Sequence, residues 1–408
     1  MTKRVSLSRQ FSTVDAYDLS VNTKRVIEIT FGHEKIVGAD LWARLFGGLI
    51  ILKTGRAAVN YISVATGVDT FEKGILGQFQ VVGLSGVFDV GYGKNGSPEI
   101  SVDYLEEEDV DRIEAIFAAI DKALEEQSIY RGKAIELLSP SFEGRRFLDI
   151  SGVSEEDVVY SLATLRELED NVWFPIERAD LGEKIKAPRQ NKVLIAGSFG
   201  TGKTLAGLIT AQRAIKSGWT FVYLPTGWKQ HSVLLPFAFE LAARYERTVL
   251  FIEDFDAEQQ DGDPALFRKM LESLDGLKSK AVRIIVLMTT NYPSKIGPAM
   301  QRPGRIDRII DLDLFTKEDI ERLLKRTIAE EFLDKSINWE EVCGACEGFA
   351  PAFIRRVADS AKLMAVGRSA RCGRPPIVQE EDLKVSAKNL EWQNENCRKA
   401  PGIGFRSS

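Results

Sequence analysis

Gly197-Ser198-Phe199-Gly200-Thr201-Gly202-Lys203-Thr204 fits the spacing G-x-x-x-x-G-K-[ST]. That spacing suits a polyphosphate. Glycines let successive backbone N–H groups close around a phosphate, the lysine neutralises its oxygens, and the threonine hydroxyl can face Mg2+. Further along, Glu253-Asp254-Phe255-Asp256 places carboxylates directly after the apolar run Val249-Leu-Phe-Ile252. Glu253 is a candidate to hold Mg2+ through water, and Asp254 to orient and polarise an attacking water. Without the glycine-rich loop, the same acids would read as a charged strand end leading into a solvated turn.

Such a loop works only between a strand and a helix N-terminus, and the sequence supplies both. Val193-Leu-Ile-Ala196 precedes it, and the helical Leu205-Ala-Gly-Leu-Ile209 follows, with Leu205 closing the binding segment. Short apolar runs at 193–196, 221–224, 249–252, 284–287 and 309–313 alternate with helix-period segments. This alternation predicts an α/β fold with a parallel five-stranded sheet buried on both faces and right-handed crossovers. The acids then sit at a strand's C-terminal tip, where ligands bind in open α/β sheets. Upstream, Val158, Leu162, Leu165 and Leu168 predict a helix that Trp173-Phe-Pro175 ends or bends. Downstream, Ile320, Leu323, Leu324 and Ile328 open a small all-helical region.

Residues 1–128 read as a separate, β-rich α+β domain. Its β-favouring runs are Arg25–Phe31, Leu49–Leu52, Tyr61–Val64 and Gln78–Val82, punctuated by glycines. The period then changes, and Val110, Ile113, Ile116, Phe117, Ile120 and Leu124 predict an amphipathic helix over 106–126. No catalytic constellation occurs there, so the domain is expected to bind a partner or substrate, or to serve assembly. Turn signals make 129–157 a linker, with the α/β module at 158–315, the helical region at 316–392 and a flexible tail at 393–408.

With 408 residues and 44% hydrophobic content, the chain can bury several cores. A net charge of -5 gives no global reason to bind nucleic acid, so a protein partner is the better default. The apolar stretch Leu45–Leu52 falls far short of the ~20 residues a membrane helix needs, and no signal core follows Met1; the expected location is the cytoplasm. Cys343 and Cys346 have the spacing of half a zinc site, but Cys372, Cys397, His33 and His231 offer no second close pair. Reduced thiols in a helical domain are the simpler expectation.

Residues 160–365 or so resemble the AAA clade of the AAA+ ATPases, which includes the proteasomal, Cdc48-like, FtsH-like and Bcs1-like ATPases. The glycine-rich loop is similar to that family's G-P-P-G-T-G-K-T. Met270–Leu277 resembles its L-L-x-x-L-D-G-L, Thr289-Thr-Asn-Tyr-Pro293 its A-T-N-x-P, and Pro298–Asp307 its P-A-L-x-R-P-G-R-x-D. The resemblance implies binding and hydrolysis of ATP with Mg2+, using residues 197–205, Thr204 and Glu253 as metal partners, and Asn291 as the first sensor beside the γ-phosphate. It makes Arg302 and Arg305 arginine fingers that reach nucleotide in a neighbouring subunit, hence a homo-hexameric ring. Glu347–Arg356 resembles the family's nucleotide-contacting lid segment, with Pro351 and Phe353 replacing its Gly and Asp, and offers Arg355 or Arg356 as a second sensor. The implied function is remodelling or translocation of a macromolecule, a protein in the first instance, recruited by residues 1–128. Remodelling of nucleic acid, or an ATP-binding assembly protein with little turnover, are the competing expectations.

Two departures bear on this. The family normally ends its acidic strand with Asp then Glu, whereas here Glu253 precedes Asp254, so the water-polarising side chain is one methylene shorter. Substrate-threading relatives carry an aromatic-apolar-Gly loop after the second strand; here the segment Pro225–Val233 is shorter and Trp228 is only a candidate for that role.

Overall fold

The computed structural model describes residues 4–11, 16–31, 36–38, 44–46, 49–51, 61–93, 97–138, 145–155, 159–225, 228–245, 247–255, 282–293, 296, 302, 304–312 and 315–399. The stretches Met270–Leu277 and 298–301, together with Asp256, lie outside them. The chain divides into two compact units, one of residues 1–149, 218–224 and 229–248, the other of 150–217, 225–228 and 249–408.

In chain order the first elements are β1 (Arg4–Gln10), α1 (Ala16–Phe31), β2 (Ile36–Gly38), β3 (Arg44–Phe46), β4 (Leu49–Ile51), β5 (Tyr61–Ala65), β6 (Phe71–Ile75), β7 (Gly77–Val81), β8 (Val87–Tyr92), β9 (Pro98–Glu106), α2 (Val110–Glu126), β10 (Ala134–Leu137) and β11 (Arg145–Phe147). Then follow α3 (Leu162–Leu168), α4 (Phe174–Glu177), α5 (Ala179–Lys184), β12 (Gln190–Ala196), α6 (Lys203–Lys216), β13 (Thr220–Leu224), α7 (Trp228–Arg244), β14 (Arg247–Ile252), β15 (Arg283–Thr290) and β16 (Arg308–Asp311). The last helices are α8 (Lys317–Ile328), α9 (Trp339–Ala345), α10 (Pro351–Cys372) and α11 (Glu380–Lys399).

In the first unit an antiparallel sheet of order β1-β9-β8-β7-β2 lays Phe79, Phe88, Ile100 and Val102 against Leu19 and Ile27 of α1 and Ile113, Ile116 and Ile120 of α2. The period-3.6 stripe read for α2 is buried, as an amphipathic helix requires. Arg25–Phe31, expected as a strand, is instead the second half of α1. Its buried residues are Ala16, the unbroken run Asp18–Thr23, Val26 and Ile27, so the helix is enclosed on all sides near its start. Four of those positions, Asp18, Ser20, Asn22 and Thr23, are polar, which hid the helix behind the β-branched run. The stretch read as a linker also contains β10 and β11. Every residue of β10 is buried; β10 pairs in parallel with β13 (Ile135↔Val222) and antiparallel with β11. The α/β sheet therefore numbers seven strands rather than five, with one antiparallel edge.

In the second unit β12 lies between β15 and β16, parallel to both, with Ala196 opposite Thr290 and Asp311. All of β15 is buried, which explains its continuous apolar run. Upstream, α3 passes through a π turn at 169–173 into α4, whose first turn holds Pro175, so the chain bends there and continues. The buried face of this segment carries Thr164, Leu168, Val172 and Trp173, while Leu162 of the expected stripe is exposed. Trp173 donates its indole N–H to Thr210 on α6 (2.9 Å). Downstream, Thr316 and Asp319 form a capping box that starts α8, and Ile320, Leu323, Leu324 and Ile328 enter a core with Val342, Ile354, Val357 and Leu383. Helix α11 runs to Lys399, past the point where a tail was expected. Among the described residues no helix is long and apolar enough to cross a membrane.

Candidate active site

The end of β12 turns through Gly197–Gly202 into α6, and this turn forms one wall of a cavity of about 450 Å3. Glycine is required at two positions. Gly200 has φ +80°, and a Cβ there would meet the Cβ of Ala352 at 2.9 Å. Gly202, with φ +98°, caps α6 and faces the ring of Tyr160, where a Cβ would come within 3.4 Å. The first N–H groups of α6 lack partners inside the helix and carry its positive dipole end, so the loop favours anionic oxygen. Lys203 is buried, and its ammonium donates to the carbonyls of Gly197 (2.8 Å) and Ser198 (2.9 Å). Those bonds hold the charge at the loop's mouth, where phosphate oxygens can replace the carbonyls.

Across the cavity, β14 ends at Ile252 and delivers Glu253 and Asp254 to its rim. The Thr204 hydroxyl donates to Glu253 Oε1, which brings two hard oxygen donors to one point. Asp254 adopts the left-handed conformation, φ +48°. A non-glycine residue holds it only where its surroundings impose it. Here the Asp254 N–H donates to Thr289 Oγ1 (2.9 Å), the next N–H, of Phe255, donates to Thr289 O (2.8 Å), and Asn291 Nδ2 donates to Asp254 Oδ1 (2.8 Å). The last turn of β15 therefore fixes the Asp254 carboxylate towards the cavity. Phe199, half exposed on the loop, meets Tyr292 edge-on with ring centroids 6.1 Å apart.

The helical region closes the remaining side. Pro351 begins α10, where its missing N–H costs nothing, and Ala352 N–H donates to Gly200 O (3.1 Å). Phe353, the other departure from the resembled motif, stacks edge-on with Phe349. Arg355 lines the cavity; Arg356, one residue and about 100° further round the helix, is exposed. Tyr160 donates its hydroxyl to Gly202 O (2.8 Å), and Arg322 of α8 donates to the Tyr160 carbonyl (2.7 Å). Burial pushes the Tyr160 hydroxyl well above its ordinary pKa, partly offset by the Arg355 charge, so it stays a donor.

Of the residues singled out by sequence, Phe199, Gly200, Thr201, Gly202, Lys203, Thr204, Leu205, Glu253, Asp254, Asn291 and Arg355 line one cavity, and Gly197 and Ser198 lie beside it as acceptors for Lys203. Arg302 and Arg305 do not line it. They occupy a separate turn, closed by Arg305 N–H to Arg302 O (3.0 Å), with Arg302 exposed. That turn is fastened to β12. Asp307 accepts from Lys192 N–H (3.0 Å) and from Gly304 N–H (2.9 Å), its own N–H donates to Lys192 O (2.8 Å), and the buried Lys192 ammonium donates to Gly304 O (3.0 Å). Trp228 is the first residue of α7, and its side chain lies outside what is described. Sequence reasoning missed Tyr160 and Thr289, whose roles here are through-space contacts with the loop and with Asp254. Cys343 and Cys346 are buried in the helical core, and burial pushes their thiols up to about 11 and about 12.

Residues 193–314 match the family model described as ATPase family associated with various cellular activities (AAA). The chain is similar to an ATP-dependent zinc metalloprotease FtsH of Acholeplasma laidlawii, 30% identical over 265 residues, which cover 61% of this chain and 39% of that protein. It is similar also to a proteasome-activating nucleotidase of Methanoregula boonei, 27% identical over 62% of this chain and 61% of that one. A third relative is a 26S proteasome regulatory subunit 6A of Schizosaccharomyces pombe, 29% identical over 58% of this chain and 54% of the subunit. The matched stretch thus spans between two fifths and three fifths of these relatives. A strand-loop-helix cradle facing an acidic strand tip, matched across its length by that family model, places the phosphate-loop module of this chain in the AAA clade of the AAA+ ATPases.

Proposed function

We propose that this protein hydrolyses ATP in a ring of identical subunits and uses the energy to remodel or move a protein target. The observation that supports it best is the convergence of Lys203, Thr204, Glu253, Asp254 and Asn291 on one cavity of about 450 Å3, a volume suited to a nucleotide. The loop amides and Lys203 hold the phosphates. Thr204 Oγ1 and Glu253 Oε1, already in contact, are the hard oxygen pair that suits Mg2+, which when bound neutralises charge on the phosphate oxygens. Asp254, held by Asn291 and Thr289, accepts the proton of the attacking water. Arg355 adds charge from the helical side, and Tyr160 keeps the loop in shape through Gly202.

Arg302 and Arg305 stand away from their own subunit's cavity, which fits a role at a neighbour's. A guanidinium brought to transferring phosphoryl oxygens contributes on the order of 10^3 or more in rate. A ring, six-membered by family likeness, follows from that arrangement. The target is read as protein because two of the relatives are proteasomal by name and the net charge of -5 gives no global attraction to nucleic acid. The metalloprotease part of the FtsH name is not carried over, since His33 and His231, the only histidines in the sequence, lie far apart in it. Residues 1–128 are the recruiting part in this reading, and the cytoplasm its location.

One observation favours a second reading, an ATP-bound assembly protein with little turnover: Asp254 is a short acid whose carboxylate is already engaged by Asn291. A phosphate-release assay separates the two. The enzyme reading expects turnover by the wild type, loss of turnover and of nucleotide binding in Lys203→Ala, and loss of turnover with binding retained in Arg305→Ala. Wild-type protein that binds ATP and releases no phosphate would overturn it.

A further inference from the structure

Val159 and Tyr160 lie just ahead of α3, and both line the nucleotide cavity. Val159 is buried in the helical core that also holds Phe315, Leu323 and Ile354. Tyr160 serves the phosphate loop instead. Its ring lies against Gly202, and its hydroxyl donates to Gly202 O (2.8 Å). The same carbonyl accepts the N–H of Ala206 (2.9 Å), a hydrogen bond that closes the first turn of α6. Gly202 O therefore joins the loop, the start of its helix and Tyr160 at one atom.

The other end of Tyr160, its carbonyl, is held from the helical region. Arg322 Nη2, on α8, donates to that carbonyl (2.7 Å) and also to Asp319 Oδ1 (2.6 Å). Asp319 is fixed in turn, since its second oxygen, Oδ2, accepts from the N–H (3.2 Å) and the hydroxyl (2.9 Å) of Thr316 in the capping box. An arginine paired with an acid three residues earlier on its own helix is ordinary. One that also donates a charge-assisted bond to a carbonyl 162 positions away in the chain fixes two segments against each other. Thr316, Asp319, Arg322, Tyr160 and Gly202 thus form a line of contacts from the start of α8 to the phosphate loop.

We propose that Arg322 is a positioning residue for nucleotide retention: it carries the placement of α8 through Tyr160 to Gly202, and so sets how fast nucleotide leaves the cavity. The inference rests on the reading that this cavity holds ATP. Arg322 touches no phosphate in this role; it supports the residue that supports the loop. Without its bond the Tyr160 peptide is free to turn, the hydroxyl loses its aim at Gly202 O, and the loop N–H groups fall out of line with the phosphates. The link works in both directions, so a nucleotide that orders the loop also favours one placement of α8.

The test uses the full chain and two readouts. In stopped flow, with methylanthraniloyl-ADP chased from the protein by excess ATP, Arg322→Gln should release the label about fivefold faster than the wild type, the factor that loss of one ordinary hydrogen bond brings. KM for ATP should rise with kcat held within about twofold, because every group facing the phosphates remains. Tyr160→Phe should release the label about as fast as Arg322→Gln, and the double variant no more than about twofold faster than either, because both changes act on one carbonyl. In nucleotide-free protein, exchange of the Ala206 amide, which bonds Gly202 O, should speed by about fivefold in both single variants. Release at the wild-type rate in Arg322→Gln overturns the proposal. Faster exchange along α8 with Ala206 unchanged overturns it too, leaving Arg322 a support of its own helix, as do single effects that multiply in the double variant. Wild-type protein that takes up no labelled ADP removes the nucleotide reading and this inference with it; uptake by the wild type with unaltered release in Arg322→Gln removes the link alone.

Discussion

Replacing Gly207 with alanine probes the packing under the phosphate loop. Gly207 lies on α6, one turn beyond Lys203, and faces the ring of Phe251 on β14. A Cβ built there meets Phe251 Cζ at 2.3 Å, Cε1 at 2.4 Å and Cε2 at 2.8 Å. The ring is fully buried, as are its strand neighbours Leu250 and Ile252, so it has nowhere to turn. Over-packing of this kind costs about 1–3 kcal/mol, and three ring atoms in hard contact argue for the upper end. Alanine in a helix interior returns about 1 kcal/mol relative to glycine. The net expectation is a destabilisation of about 2 kcal/mol, together with a raised KM for ATP, because Phe251 lies two residues before Glu253 on the same strand. Hydrogen exchange of the α6 amides in dilute urea reads the stability of this unit without the other. A double-mutant cycle supplies the control, since in a Phe251→Leu background the same change should become neutral or stabilising by up to ~1 kcal/mol. Stabilisation by Gly207→Ala in the wild type, or a cost unaltered by Phe251→Leu, would refute the packing argument.

Three further outcomes follow from the geometry. Asp254→Asn keeps Glu253 and Thr204 for the metal and should retain bound ATP while phosphate release falls at least ~100-fold; turnover at the wild-type rate would show that Asp254 is not the base. Tyr160→Phe removes the hydroxyl that holds Gly202 O, a loss of about 1 kcal/mol, so titration calorimetry should show roughly fivefold weaker ATP binding, and unchanged affinity would remove Tyr160 from the site. Cys343 and Cys346 have folded pKa values raised by burial to about 11 and about 12, so the stability they contribute is whole below the ordinary thiol value near 9 and is lost as pH rises towards those numbers. Unfolding midpoints should therefore fall across that alkaline window more steeply for the wild type than for Cys346→Ala; identical slopes would refute the linkage.

The cavity wall was most legible where its residues are contiguous. Gly197–Leu205 reads as a strand-to-helix turn because an apolar run precedes its glycines and a helical run follows, and Glu253–Asp254 reads as a strand end beside it because four apolar residues precede it. Arg355 could not be told from Arg356 in the sequence, because adjacent residues differ only by helix phase, and phase is set by how α10 packs. Tyr160 left no local signal, and Thr289, although inside the quoted Thr289–Pro293 stretch, gave no sign of its role, since each acts on a residue distant in the chain. The N-terminal helix α1 was hidden by Asp18, Ser20, Asn22 and Thr23, buried polar residues among its apolar ones. The strands β10 and β11 are short, and turn signals around them outweighed an apolar run of only a few residues.

Strand β12 joins two features at opposite ends. Beyond Ala196 it becomes the phosphate cradle, and near its start Lys192 is laced to the Arg302–Asp307 turn by three hydrogen bonds, two of them through its own peptide groups. Five extended residues span about 16 Å with little give along their length. Cradle and arginine turn are thus carried on one stiff member, so in the ring proposed above a shift of the one would be passed, like the throw of a push-rod, to the other. Each copy would report the state of its own pocket through the position of the groups it offers outward.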